Sequence, residues 1–340
     1  MIISNKNHNL FITFSIIVLI LYLGKNLLIP FFFSIFLFII LKSLSSKISN
    51  KQIFNRTIPY NLSFLIITIL LFFIFYLFGI LIENNLSVLI MSSDEYQNNL
   101  LLIFSKIKES RLNFLPFSYA EFVDELNFTK IFTNTLNLLT SLASNFSLII
   151  LYLIFFILEE NFFKIKILKL FKKSSSRNIF ERIRKEIFGY FQIKTFTSIL
   201  TGIFTFLLLF LFNSDLAILF GLLAFVLNFI PFLGSLISIL LPFLFSVVQF
   251  LDFFQPLMIL VFSFFIQIFI GNVVEPKLMG KSLNLSPLVM LLTLGLMGKL
   301  WGISGMFLSI PILVILLICF NNFESTKKIA ILLSEKGEIN

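Results

Sequence analysis

The sequence predicts an all-α, polytopic membrane protein, and three observations carry that expectation. Of 340 residues, 58% are hydrophobic and only 13% charged, whereas soluble domains sit near roughly 25% charged. Apolar runs of about 18 residues or more recur along the chain, each long enough to enter a bilayer as a helix. Two of the longest apolar segments, 216–249 and 267–320, are broken midway by Pro, Gly and polar residues. Interrupted backbone at membrane depth is tolerated only inside protein or against a water-filled cavity, and transporters build sites from it.

Composition also removes several function classes. Cys319 is the single Cys, in an apolar run, and His8 is the single His. One of each supports no disulfide framework, zinc cluster, iron–sulfur site, zincin motif or Ser-His-Asp triad. No GxxxxGK[ST] phosphate loop occurs, so the chain is expected to carry no ATPase. No cofactor, metal site or catalytic residue is expected. The 49 Phe accompany abundant Ile, Asn and Lys and fit an AT-rich coding composition, with lipid-facing Phe well tolerated.

The net charge of +9 resides in two blocks beside apolar runs. Lys42, Lys47, Lys51 and Arg56 form one. Lys164, Lys166, Lys169, Lys172, Lys173, Arg177, Arg182, Arg184 and Lys185 form the other, against Glu159, Glu160, Glu181 and Glu186. Positive-inside topology explains both, so no nucleic-acid partner is expected and anionic lipid headgroups are.

In chain order, residues 10–23 and 27–41 are apolar runs around Gly24-Lys25-Asn26, short for full spans, and read as two tilted helices or a shallow hairpin. A signal peptide is the competing reading; no small-residue cleavage site follows the run, so an uncleaved helix is preferred. Spans follow at 60–82, 145–158 and 195–213. Between them, 83–142 turns acidic, with Glu83, Asp94, Glu95, Glu109, Glu121, Asp124 and Glu125. Within it Tyr96, Leu100, Ile103, Phe104 and Ile107 recur at helical spacing, which predicts an amphipathic helix packed on the membrane domain or lying at the interface. The basic segments 42–59 and 159–194 then face the cytoplasm and 83–142 the outside. The expected organisation is a membrane hairpin and basic loop (1–59), two spans around an outer helical region (60–158), a basic segment (159–194), a membrane transport core (195–320) and a tail (321–340).

The chemistry concentrates in the two broken segments. Asn228, Pro231, Gly234 and Ser235 interrupt 216–249; Pro231 lacks an N–H and clashes with the Leu227 carbonyl. A helix opened at a site and a simple proline kink both fit. A polar insert from Asn272 to Pro287 interrupts the second segment and holds Glu275, Pro276, Lys277, Gly280 and Lys281. An acid at membrane depth is a proton or cation site by default; at the interface, Glu275 would instead pair with Lys277 or Lys281. Gln267 and Asn228 could bind a hydroxylated solute or bridge helices. Asp215 and Asp252 read as solvated caps. Lys299 reads as snorkelling beside a re-entrant pair about Gly298 and Gly302.

These residues carry a resemblance. FGLLAFVLNFIPFLGSLIS, with Asn228, Pro231 and Gly234, resembles a hallmark of the AI-2E family of bacterial transporters. So do VVEPKLMGKSLNLSPLVML, with Ser286, and the stretch from Gly302 through Gly305 to Pro311. YFQIKTFTSILTGIFTFLLL, with Lys194, Thr195, Ser198 and Gly202, resembles the family's middle region. The match is good over 185–320 and holds only by layout before that. Other branches carry a His near Ser286, which this chain lacks. The resemblance implies a multi-pass bacterial inner-membrane protein of about eight membrane helices, a homo-oligomer, moving a small molecule or cation. Export of a hydroxylated signal of the autoinducer-2 type is one implied function and sodium–proton antiport the other. A structural or assembly membrane protein without flux is the remaining class; an embedded enzyme lacks the His and paired acids it would need.

Overall fold

A computed structural model of the chain describes residues 2–49, 52–53, 56–109, 146–160, 162, 165–166, 174–279 and 284–337. Apart from one two-residue antiparallel ribbon, Gln52–Ile53 with Arg56–Thr57, its regular elements are helices. Among the described residues six are long and apolar enough to cross a membrane: Lys25–Ser49, Tyr60–Asn85, Ile179–Leu211, Leu233–Phe250, Phe254–Met279 and Pro287–Asn321. A shorter apolar helix, Ala217–Leu227, accompanies them. The all-α, polytopic expectation holds. The chain forms two compact units, one of residues 1–64, 143–191 and 281–340, the other of 65–142 and 192–280.

In the first unit, α1 (Ile2–Leu23) and α2 (Lys25–Ser49) meet at Gly24 alone. The Gly24 N–H donates to the Ile20 carbonyl at 2.8 Å, and its own carbonyl accepts from Leu28 at 2.9 Å. An antiparallel helix pair needs a loop of about 2–5 residues, so of the two expected forms, tilted helices or a shallow hairpin, the structure has two helices meeting at a bend. Lys25 and Asn26 are absorbed into α2 because nothing there breaks a helix. Pro30 lies inside α2, in its second turn, where it removes the N–H that would bond the Asn26 carbonyl.

Phe36 and Leu41 of α2 are buried, as are Ile187, Phe191, Leu308, Ile310 and Leu313 of the same unit, and the Phe36 and Phe191 rings meet with centroids 5.5 Å apart. Phe31 meets Tyr152 and Phe156 of α5 (146–160) edge-on or tilted, with centroids 5.7 and 5.5 Å away. Lys42 and Glu160, each about a fifth exposed, pair at 2.5 Å.

The long helix α11 (Pro287–Asn321) is not straight. Gly302 has φ 63° and ψ −144°, a conformation open essentially to glycine. A Cβ on Gly305 would overlap the Met297 carbonyl, and one on Gly298 would lie 2.7 Å from the Met306 side chain. Eight residues of straight helix advance about 12 Å, so these contacts make Gly302 an elbow with two limbs folded together. Trp301 anchors it by donating from Nε1 to the Leu21 carbonyl at 2.9 Å. The chain then returns through α12 (Lys327–Leu333). The Ser286 N–H donates to the Leu333 carbonyl at 3.0 Å, and the Glu335 N–H donates to Asn284 at 3.3 Å. The segment expected as a tail is thus docked.

In the second unit, α3 (Tyr60–Met91) runs past its span, and most of its large apolar side chains are exposed, as on a lipid-facing helix. α4 (Ser93–Glu109) is the expected amphipathic helix. Tyr96 and Leu100 are buried and Ile103 is partly buried, in a cluster with Leu209, Leu216, Phe220, Phe245, Val248 and Ile259. The side chains of Phe104 and Ile107, and all of 110–142, lie outside the described residues. Tyr96 donates its hydroxyl to Asp215 at 2.7 Å, and Gln249 accepts from the Asp215 N–H at 3.3 Å. Asp215 is exposed, as expected of a solvated residue at a helix end, and also holds α4 through this bond. Burial first, and then the bond to Asp215, raise the Tyr96 phenol above its usual range.

Candidate functional site

Helix α6 (Ser174–Leu211) is largely apolar from Ile187 to its end, and most of its polar residues there gather on one stripe. Lys194, Thr197, Ser198, Thr201 and Thr205 recur at the three- and four-residue steps that align one helix face. All five are buried, Lys194 to 5% exposure. Thr197 and Thr201 return their hydroxyls to carbonyls one turn back, at 3.1 and 2.9 Å. These local bonds let the stripe lie in apolar surroundings without orphaned donors. Just beyond, Gly202 and Gly221 bring two helices together: a Cβ on Gly202 would come 2.8 Å from the Gly221 carbonyl. Small residues at such crossings admit close backbone approach in membranes.

The first predicted break is present. α7 (Ala217–Leu227) stops, and α8 (Leu233–Phe250) begins after a compact turn. With no N–H on Pro231, the Leu227 carbonyl accepts instead from Ile230 at 2.8 Å. Phe232 takes φ 61° and ψ −60°, and Leu233 donates to the Pro231 carbonyl at 2.6 Å. That is a γ-turn of the rare, strained hand, here on a bulky residue. A Cβ on Gly234 would overlap the Leu227 carbonyl, so the turn closes only with glycine there. Asn228 ties the turn to the stripe, donating from Nδ2 to the Ser198 hydroxyl at 3.0 Å. Of its two sequence readings, the structure forms the helix bridge.

The second break is a widened turn. α9 (Phe254–Ile268) passes into a π-helical segment, Phe269–Val274, and then α10 (Glu275–Met279). In α-helical register Val274 would fall on the face of Gln267, seven residues on. The i→i+5 turn takes up one extra residue and turns Glu275 there instead. Its carboxylate meets the Lys194 ammonium at 2.6 Å, with side chains 16% and 7% exposed. Thr197 approaches the second carboxylate oxygen at 3.5 Å. The pair sums to no net charge inside two apolar helices. A buried pair of this kind is a poor stabiliser, because desolvation offsets most of its attraction.

Neither lysine considered for an interfacial Glu275, Lys277 or Lys281, is the partner found among the described residues. Lys277 is exposed, Lys281 lies outside the described residues, and the partner is Lys194, 81 residues back. Sequence reading missed Lys194 as a site residue, although its spacing with Thr197, Ser198, Thr201 and Thr205 was visible. Gln267 is buried on the same helix as Glu275, whereas Asn272 and Pro276 are exposed. Gly280 lies outside the described residues. Ser286, Gly305 and Pro311 belong to the other unit. Ser286 joins the docked C-terminal segment, Gly305 packs into the elbow, and Pro311 is buried in its second limb. Among the described residues no cluster of three His, Cys, Asp or Glu side chains is placed to hold a metal ion.

The motifs embedded in this geometry extend across almost the whole chain. A sequence profile described as AI-2E family transporter matches residues 11–325. The chain belongs to the AI-2E transporter family. A protein of Borreliella burgdorferi named for transport is 32% identical over 259 residues, covering 73% of this chain and 70% of its own length. A Haemophilus influenzae protein named likewise is 28% identical over 329 residues, covering 92% and 91%. The AI-2 transport protein TqsA of Escherichia coli is 32% identical over 221 residues, covering 64% of this chain and 63% of TqsA. The family and the relatives' names are those of transporters rather than enzymes. With its apolar helices, this makes the chain a multi-pass membrane protein. None of these names speaks for cation–proton exchange.

Proposed function

We propose that this protein exports a small hydroxylated molecule of the autoinducer-2 type across the bacterial inner membrane. The observation that carries the reading is the buried polar stripe of α6, closed by Lys194 and Glu275 beside a strained break in the next helices. A scaffold has no use for an ion pair and opened backbone within apolar helices. Similarity to TqsA, whose name gives AI-2 transport, supports the cargo class. The positive-inside rule supports a cytoplasmic 159–194 and a periplasmic 83–142. Lys194, seven residues beyond Ile187, then lies about 10 Å into the membrane from the cytoplasmic side.

The test uses a bacterial strain deprived of its own AI-2 exporter. Expression should raise the ratio of extracellular to intracellular AI-2, read with a reporter. Glu275→Gln at equal abundance should return the ratio toward the empty-vector value. An unchanged ratio with the wild-type protein present in the membrane would overturn the proposal.

A further inference from the structure

On α9 the buried face is Pro256, Ile259, Ser263 and Gln267. Two of these four are polar, in the middle of an apolar 26-residue span, Phe254–Met279. Ser263 is 2% exposed, and its hydroxyl has no hydrogen-bond partner. This is unusual, because a buried Ser in a helix normally returns its hydroxyl to a carbonyl one turn back, as Ser238 does to Gly234 at 2.7 Å. Gln267, 7% exposed, also makes no hydrogen bond among the described residues, although its amide is less fully enclosed than the Ser263 hydroxyl. The two stand one turn apart on one face, with Cβ atoms about 5–6 Å apart.

The facing helix adds an acceptor. α8 and α9 pack as an antiparallel pair joined by Leu251–Phe253. Ser238 and Gln267 are about equally far from that turn and so lie at one level. Pro242 has no N–H to return to the Ser238 carbonyl, one helical turn back. One level of the pair therefore holds a primary amide and a backbone carbonyl short of a donor, with an unpartnered hydroxyl a turn away. Buried polar groups left without protein partners mark a place for water or a ligand.

We infer that Ser263 and Gln267 form a binding station for a small neutral polyol. The inference rests on the transport reading above and adds to it where the cargo's hydroxyl groups are held. A carboxamide and a hydroxyl each donate and accept, so they match adjacent hydroxyl or carbonyl groups of either polarity. No charge is on offer: the nearby Lys194 and Glu275 neutralise each other, which selects against an ionic ligand. Truncating either group leaves a ligand hydroxyl unpaired in an apolar site, the strongest form of discrimination a site of this kind has.

The probe is radiolabelled erythritol, with lactate as the anionic control, bound to the purified protein in nanodiscs. Wild-type protein should bind erythritol and not lactate. Ser263→Ala and Gln267→Leu should each weaken erythritol binding at least tenfold while the melting temperature stays level or rises, because each removes an unsatisfied polar group. A fall in melting temperature with binding retained would make the pair a helix bridge and overturn the inference. So would absence of erythritol binding by the wild type, or equal binding of lactate. AI-2 export in cells is scored separately: export by the wild type that both variants keep would sink the station while leaving the transport reading intact.

Discussion

Replacing Lys194 by Met separates the buried pair from an ordinary surface salt bridge. Methionine keeps the length and flexibility of the stem but removes the ammonium. Glu275 then keeps a carboxylate that is 16% exposed and loses its contact at 2.6 Å. Among the described residues that carboxylate's other polar contact is Thr197, at 3.5 Å the limit of a hydrogen bond. Leaving one member of a buried pair uncompensated costs about 3–5 kcal/mol, against about 0–1 kcal/mol for an exposed pair. Lys194→Met should therefore destabilise the protein by about 3 kcal/mol or more in denaturant unfolding of the detergent-solubilised chain. Glu275→Gln should cost less, since the amide oxygen still accepts from the ammonium. The double variant should recover most of the loss of Lys194→Met, because no isolated charge remains; replacing both members of a buried pair is often neutral. The double-mutant cycle should then show coupling well above 1 kcal/mol. Single variants that each cost under about 1 kcal/mol and simply add would refute the argument, and the pair would then be a solvated contact with no claim on the site.

Gly234→Ala should destabilise by about 1–3 kcal/mol or more, since its methyl meets backbone rather than a movable side chain; Pro231→Ala should reach normal abundance yet lower AI-2 export, measured in the same cells. Tyr96→Phe should cost about 1.5–3 kcal/mol, the range for a hydrogen bond to a charged acceptor, read by thermal unfolding. The raised Tyr96 phenol adds a pH signature. Its contribution is complete below the ordinary tyrosine value of 10.0 and is lost as pH climbs through the higher folded value. Stability should thus decline more steeply at alkaline pH in the wild type than in Tyr96→Phe. For orientation, an impermeant thiol reagent should label Asp94→Cys in intact cells in a Cys319→Ser background and spare Lys185→Cys; the opposite pattern reverses the topology.

Much of the fold was legible because membrane helices write themselves as apolar runs. The amphipathic α4 was readable from Tyr96, Leu100 and Ile103, whose spacing matches the face it buries. The break at 228–232 was readable because Pro231 and Gly234 act locally, through a missing N–H and a missing Cβ. The partner of Glu275 was not: Lys277 and Lys281 are nearer in sequence, and the π turn that aims the carboxylate at Lys194 leaves no residue signature in FIGNVV. The choice between tilted helices and a hairpin about Gly24 was not legible, because a glycine between apolar runs serves equally in a bend and in a loop. Asp215 is exposed as expected, but its bond from Tyr96 was not legible because the two stand more than a hundred positions apart.

The elbow at Gly302 changes how the chain must be counted through the membrane. Residues 287–321 have the length and hydropathy of one generous crossing, and a count by hydropathy puts their two ends on opposite sides. Folded at Gly302, the first limb, 287–301, is about 22 Å long at 1.5 Å per residue, too short for a hydrocarbon layer of about 30 Å. We predict that it enters and turns back, so that both ends of the segment emerge on one face; Asn284 and Ser286 clasp Leu333 and Glu335. A reporter fused to the C-terminus should then read the same compartment as one inserted just before Pro287, and a reading from opposite compartments would make the segment a single crossing.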